Sequence, residues 1–317
     1  MGDMHFPGVV RYRFEAEVLT PITLPQYPGS TWRGLLGSSL RRTACITGQS
    51  SCEACLLQGS CAFFSFFETP NEPPAARTRG ALACHPFVLD LEPDGQQMVQ
   101  PGEILELAIN VIGNANSYLP HLIIAMERAG EAGIGKGRGR FRLLRLLQEV
   151  TLSRGDWARI FDSNDRALQQ RAAGPVALPD APPSVQVQLV TPLRIKRQGR
   201  LVGARELSAS DFLRHLCWRL EQIDQRFGDG DPQGYWESHR DLVEGLAPAP
   251  TQVRWLDWTR YSSRQETTMK LGGLMGTLAM PEQAIAAMWP LLWLGQWVHV
   301  GKATTFGLGA YRLRPGA

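Results

Sequence analysis

The chain has 317 residues, 44% of them hydrophobic and 20% charged, with a formal net charge of +3 and a pI of about 8.6. That length suits one large domain or two of about 150 residues each, and the composition is that of an ordinary globular protein, which excludes a polycation acting through bulk charge. The longest apolar run, AIAAMWPLLWLG (284–295), is too short to span a bilayer and carries a proline. The N-terminus lacks a basic segment followed by an apolar one, so a cytoplasmic protein with no membrane partner is expected.

In chain order, VRYRFEAEVL (10–19) alternates Tyr12, Phe14, Ala16 and Val18 against Arg11, Arg13, Glu15 and Glu17, the pattern of a half-buried strand. STWRGLLGSSLRR (30–42) opens on a Ser-Thr cap and spaces Trp32, Leu35, Leu36 and Leu40 as a helix does. A cysteine-rich insertion over about 44–84 follows, and then two strand candidates, PFVLD (86–90) and ILELAINVIG (104–113). YLPHLIIAMERAGEAG (118–133) has proline near a helix start and glycine at its end. The loop GIGKGRGR (133–140) and a last strand, FRLLRLLQEV (141–150), complete the order β-α-β-β-α-β, the ferredoxin-like split unit.

Residues 153–184 read as a helical, proline-rich linker, with GPVALPDAPPS (174–184) as its proline-rich part. Beyond it the order recurs: strand 185–195, amphipathic helix 208–227, a hairpin from 252–262 and 270–280, helix 281–295, a glycine loop, and a closing strand at 310–314. The predicted fold is therefore α+β: two tandem ferredoxin-like (RRM-like) domains, 1–152 and 185–317, the first carrying the cysteine-rich insertion. Both halves place a Gly-Lys loop between their second helix and fourth strand.

Only four lysines occur, at 136, 196, 270 and 302, and two of them lie in those loops. GEAGIGKG (130–137) nearly matches a phosphate loop, but Gly137 stands where a hydroxyl would meet magnesium and a helix precedes the loop. Nucleotide hydrolysis, and with it a nucleotide cofactor, is excluded on that ground. What remains is a glycine loop in which Lys136, Arg138 and Arg140 can meet a phosphate backbone. In the second loop, WVHVGKATTFGLGAYRL (297–313), His299 can titrate near neutral pH, and Lys302, Thr304 and Thr305 suit a phosphate. DWTRYSSRQETTMK (257–270) interleaves Arg260, Tyr261 and Arg264 at a hairpin, guanidinium and aromatic planes of the kind that stack on unpaired RNA bases.

Cys45, Cys52, Cys55 and Cys61 have C-x6-C-x2-C-x5-C spacing. A thiolate pair two residues apart with two more in reach is the ligand set of a closed tetrahedral zinc site, so a structural, non-catalytic zinc is expected. No HExxH, paired histidines or nucleophile elbow points to a catalytic metal or an acyl enzyme.

The tail WVHVGKATTFGLGAYRL, the preceding LDWTRYSSRQETTMKLGGLMGTL (256–278), and PFVLD, PGEILELAINVIGNANSYLPHLI (101–123) and GIGKGRGRFRL (133–143) in the first half resemble the CRISPR-associated pre-crRNA-processing endoribonucleases of the RAMP superfamily. The resemblance covers most of the chain except the linker. It implies tandem ferredoxin-like domains whose glycine-rich loops contact the CRISPR repeat stem-loop, and metal-independent cleavage in which the 2′-hydroxyl attacks the adjacent phosphate. Association with other CRISPR effector subunits is also implied. Members of that family often carry a catalytic histidine near the first helix, whereas residues 20–44 of this chain contain none; Tyr27, Arg33, Arg41 and Arg42 are the candidates there. The expected catalytic set is His299 as acid or base with Lys302 and Arg33 at the phosphate. The alternative is an RNA-holding subunit that does not cut.

Overall fold

The computed structural model describes residues 6–68, 84–91, 97–174, 176–228, 234–257, 259–262, 267–270 and 272–316, with the backbone alone over 259–262 and 267–270. The chain divides into two compact units, 1–177 with 225–229, and 178–224 with 230–317. The boundary falls inside the segment expected to be a linker.

In the first unit the elements are β1 (Val9–Val18), β2 (Ile22–Leu24), α1 (Gly29–Ala44), α2 (Ala62–Phe67), β3 (Phe87–Asp90), β4 (Gln97–Val99), β5 (Ile104–Ile112), α3 (Leu119–Ala132), β6 (Phe141–Glu149) and β7 (Trp157–Asp162). The sheet order β3-β5-β1-β6-β7 is the ferredoxin-like order with one strand added beside β6. That added strand corrects the linker reading: part of 153–184 is not helical but pairs with β6 through Trp157 to Asp162. A six-residue strand, WARIFD, carries too little alternation to declare itself.

The alternation of β1 produces the expected two faces. Tyr12, Phe14, Ala16 and Val18 are buried with Trp32, Leu36 and Leu40 of α1 and Leu122 and Met126 of α3. The opposite face is a lattice of ion pairs: Arg11 reaches Asp90 at 2.9 Å, Arg142 reaches Glu17 at 2.6 Å, and Arg145 pairs with Glu15. Arg13 lies 4.6 Å from the centre of the Trp157 ring. Much of the arginine of this unit is thus neutralised within its own sheet.

The second unit comprises β8 (Val185–Leu189), β9 (Lys196–Arg197), β10 (Arg200–Leu201), α4 (Ala209–Phe227), α5 (Tyr235–Glu244), β11 (Thr251–Leu256), β12 (Thr259–Ser262), β13 (Thr267–Lys270), β14 (Gly273–Ala279), α6 (Glu282–Val298) and β15 (Tyr311–Pro315). Its main sheet runs β11-β14-β8-β15, the same ferredoxin-like order. The expected hairpin is β11 with β14, extended by the small β12–β13 ribbon. Phe212, Leu216, Leu220 and Ile223 of α4, with Ile285, Met288 and Leu292 of α6, fill the core. Tyr311 at the start of β15 is fully buried and donates its hydroxyl hydrogen to the Leu292 carbonyl at 2.6 Å. Two four-strand ferredoxin-like cores are therefore present in tandem, as the element order predicted.

Candidate functional site

Each unit ends its last helix, α3 or α6, in a glycine loop, and the two loops dock in the same way. In the first, Gly135 has φ +71°, and a Cβ there would lie 2.2 Å from the Thr23 carbonyl oxygen. The next amide, that of Lys136, donates to this same carbonyl at 3.2 Å. In the second, Gly301 has φ +86° and would place a Cβ 2.4 Å from the Arg194 carbonyl oxygen. The next amide, that of Lys302, donates to that carbonyl at 2.8 Å. Only glycine combines this φ with so close an approach of backbone to backbone. In both units a Gly-Lys pair is therefore fastened to the segment that follows the first strand.

The side chains that result differ. Lys136, Arg138 and Arg140 are exposed, and among the described residues none of the three is in an ion pair. They form a basic strip free to meet phosphates in water. Arg138 itself takes a positive φ of 51°, which turns the chain back between Gly137 and Gly139.

The second loop is packed inward. Thr191 clasps its C-terminal end, donating its hydroxyl hydrogen to the Gly307 carbonyl at 2.7 Å and accepting from the Ala310 amide at 2.9 Å. His299, at the C-cap of α6 with φ 57°, has no exposed surface. Thr304 and Thr305 form a buried turn, each 7% exposed. Of the residues expected to meet the ligand, His299, Thr304 and Thr305 thus build the loop's interior rather than its surface.

Lys302 stays at the rim, half-buried. Burial lowers its pKa first, and the neighbouring Lys196 and Arg194 lower it further. Arg194 is also pulled down by burial, and its guanidinium donates to the Gly272 carbonyl. Arg194 and Lys196 are two residues apart on extended backbone and so project to one side. Three cations thus crowd one place with no ion pair to any of them among the described residues, an arrangement suited to an anion. His215 of α4 joins this group through a 3.0 Å hydrogen bond between Nε2 and the Lys196 carbonyl. Sequence reasoning missed Thr191, Arg194 and His215 as site residues. The visible signal was that Lys196, one of only four lysines, follows β8 in LRIKRQGR.

Arg33 belongs to the first unit, where its guanidinium lies 5.1 Å from the centre of the Phe67 ring. It is a cation on an aromatic platform of α2. Arg264 and the side chains of Arg260 and Tyr261 lie outside the described residues.

The four cysteines of the insertion line one small cavity, together with Thr47, Gln58 and Phe63 among others. The Thr47 hydroxyl stands between two of them, 4.0 Å from the Cys45 sulfur and 3.8 Å from that of Cys55. A hydrogen bond with the backbone at Gly48 holds the Cys45 thiol below its ordinary pKa, whereas burial raises that of Cys52. The thiols converge in residue type, but among the described residues no three acidic, imidazole or thiol groups are placed closely enough to grip a metal ion.

A pair of ferredoxin-like units, each presenting a Gly-Lys loop fastened behind its first strand, defines a tandem ferredoxin-like protein with cationic loops. Residues 6–173 match the AF_1859_N N-terminal domain family, and residues 187–311 match the CRISPR-associated endoribonuclease Cas6 family. Over its first half the chain belongs to the AF_1859_N N-terminal domain family, and its second half is similar to the Cas6 family. It is similar to an Archaeoglobus fulgidus protein named only "Uncharacterized protein", 22% identical over 299 residues that span 92% of this chain and 93% of that one. Among solved structures it resembles a Cas6 product complex, with a TM-score of 0.54, 16% identity, and coverage of 98% of this chain and 100% of the other. Thermus thermophilus Cas6 matches with a TM-score of 0.51 at 16% identity over 97% and 99% of the two chains. A partial Cas6-RT-Cas1–Cas2 complex contains a chain matched with a TM-score of 0.55 at 14% identity, of which this protein spans 47%. At these identities the likeness speaks to the fold. Among the described residues no helix is long and apolar enough to cross a membrane.

Proposed function

We propose that the protein is a metal-independent endoribonuclease that binds the stem-loop of CRISPR repeat RNA and cuts the precursor transcript into guide RNAs. The observation that carries the reading is the uncompensated cluster of Lys302, Lys196 and Arg194 behind a backbone fastened by Gly301. A preorganised cation group of this kind stabilises charge that builds on a phosphate in the transition state. The 2′-oxygen attacks the adjacent phosphorus, its proton passing to a base, while the bond to the 5′-oxygen breaks and that oxygen takes up a proton. The products are a 2′,3′-cyclic phosphate and a 5′-hydroxyl. Lys302 would hold the non-bridging oxygens, and the exposed Lys136, Arg138 and Arg140 would hold the flanking backbone.

A second reading is supported by α1, which carries no histidine, and by the burial of His299. It makes the chain an RNA-holding subunit of a CRISPR ribonucleoprotein that binds the repeat without cutting, alongside other effector subunits. Incubation with repeat RNA in excess EDTA separates the two. Cyclic phosphate ends, abolished by a single 2′-deoxy substitution at the cut, support the enzyme; tight binding with intact RNA supports the subunit.

In either reading Cys45, Cys52, Cys55 and Cys61 are proposed to close on one structural zinc, which would staple the insertion that supports α2. Thiolate spacing and a shared cavity support this assignment.

A further inference from the structure

With no histidine in α1 and His299 fully buried, the cleavage reading still needs a general base at the phosphate. We propose that His215 of α4 fills that position, as the general base that accepts the 2′-hydroxyl proton beside Lys302. This inference rests on the cleavage reading and deepens it.

The geometry is local to the second unit. The Lys302 amide is tied to the Arg194 carbonyl at 2.8 Å, and the imidazole Nε2 lies 3.0 Å from the carbonyl of Lys196, two residues further on. The ring thus sits on the same short segment that anchors the lysine. A carbonyl can only accept, so Nε2 carries the hydrogen and donates it. That bond fixes the tautomer and leaves Nδ1 with its lone pair, the atom that a base needs. The ring is half-buried, in contrast to His299, and it packs edge-on to Trp218 with centroids 6.5 Å apart.

Several charged groups face the imidazole. Asp211 and Arg214 lie on its own helix, Lys302 comes from the glycine loop, and the Lys196 carbonyl comes from β9. Asp211 is engaged elsewhere, with Arg214 at 3.5 Å and Arg197 at 3.6 Å, which blunts its pull on the ring. Burial is the largest influence and lowers the imidazole pKa; Arg214 and Lys302 lower it further, while the Lys196 carbonyl and Asp211 act the other way. The ring therefore remains neutral, and able to accept a proton, to lower pH than an ordinary histidine.

The proton balance closes within the cluster. The 2′-hydroxyl hydrogen moves to Nδ1 as the 2′-oxygen bonds to phosphorus, and the phosphorus–5′-oxygen bond breaks with its electron pair going to the 5′-oxygen. The Lys302 ammonium, made more acidic by its neighbours, or a water molecule protonates that leaving oxygen. The imidazolium returns its proton to solvent afterwards.

The test is single-turnover cleavage of repeat RNA in EDTA across a pH series, for the wild-type protein and for His215→Gln. The glutamine amide can still donate to the Lys196 carbonyl, so that contact is kept while the base is lost. The wild-type rate is expected to rise with pH through a midpoint below 6.5, the ordinary histidine value. In His215→Gln that limb disappears and the rate falls by about 100-fold or more. A variant that cleaves within about threefold of wild type, with the acid limb intact, overturns the role of His215 and leaves the cleavage reading standing. If His215→Gln fails to fold, as read by its melting transition, the wild-type profile decides, and a rate with no limb below neutral pH overturns the proposal. Wild-type protein that binds the repeat and never cuts it overturns this proposal together with the cleavage reading and supports the RNA-holding subunit.

Discussion

The two glycine loops share one anchoring device and differ in what they leave in the open. In each, a Gly-Lys pair presses against a carbonyl just after the first strand, Thr23 in one unit and Arg194 in the other. The first loop then turns its cations into solvent, whereas the second buries its histidine and threonines and keeps one lysine at a crowded rim. Exposed cations are screened by salt and hold a polyanion loosely and over a broad front. Half-buried cations act in a lower dielectric, where a charge developing on one phosphate is felt strongly. On the proposed function, one backbone device would serve binding in one unit and chemistry in the other.

The largest expected effect comes from the anchor itself. Gly301→Ala would set a Cβ against the Arg194 carbonyl in a left-handed conformation, so the second unit should lose about 3 kcal/mol or more in thermal or denaturant unfolding. The matching Gly135→Ala should destabilise the first unit by a similar amount, since its Cβ would meet the Thr23 carbonyl. Two fully stable variants would show that the loops are not fastened as described.

A smaller effect is expected from the exposed strip. Replacing Lys136 and Arg138 together should weaken RNA binding and reduce the slope of log affinity against log salt by about 1.4, or about 0.7 per lost phosphate contact on single-stranded RNA. An unchanged slope would remove the first loop from the interface.

Metal analysis of the purified protein should give about one zinc per chain, lost in Cys52→Ser, with a lower melting temperature for the first unit. Protein that is stable and free of zinc would reduce the cysteine cluster to packing. The smallest effect is a pH dependence of stability in the second unit. His215 is depressed in the folded state, so between its folded pKa and 6.5 the unfolded chain binds more protons, and stability falls as pH falls through that window. The slope should vanish in His215→Gln when followed by denaturant melts.

Much of this architecture was legible in sequence because it is periodic. The alternation of β1 and the helical spacing of Trp32, Leu36 and Leu40 are local patterns, and the repeat of the element order identified both loops. What escaped was non-local. The β7 strand is too short to announce itself and is recruited only because β6 offers it an edge. His299, Thr304 and Thr305 look like surface residues by type, yet the fold turns them inward, and nothing in the string WVHVGKATTFGLG distinguishes the buried members from Lys302. The association of His215 with Lys196 and Lys302 joins a helix, a β-ribbon and a loop far apart in the chain, which spacing alone cannot reveal.

The division of labour between the loops can be tested in one experiment, single-turnover cleavage at saturating protein in EDTA, comparing Lys136→Ala/Arg138→Ala with Lys302→Met. The account predicts that the first variant regains the wild-type rate once enough protein is present, while the second stays about 100-fold slow at any concentration. A Lys302→Met protein that reaches the wild-type rate at saturation, or a first-loop variant that never does, would contradict it.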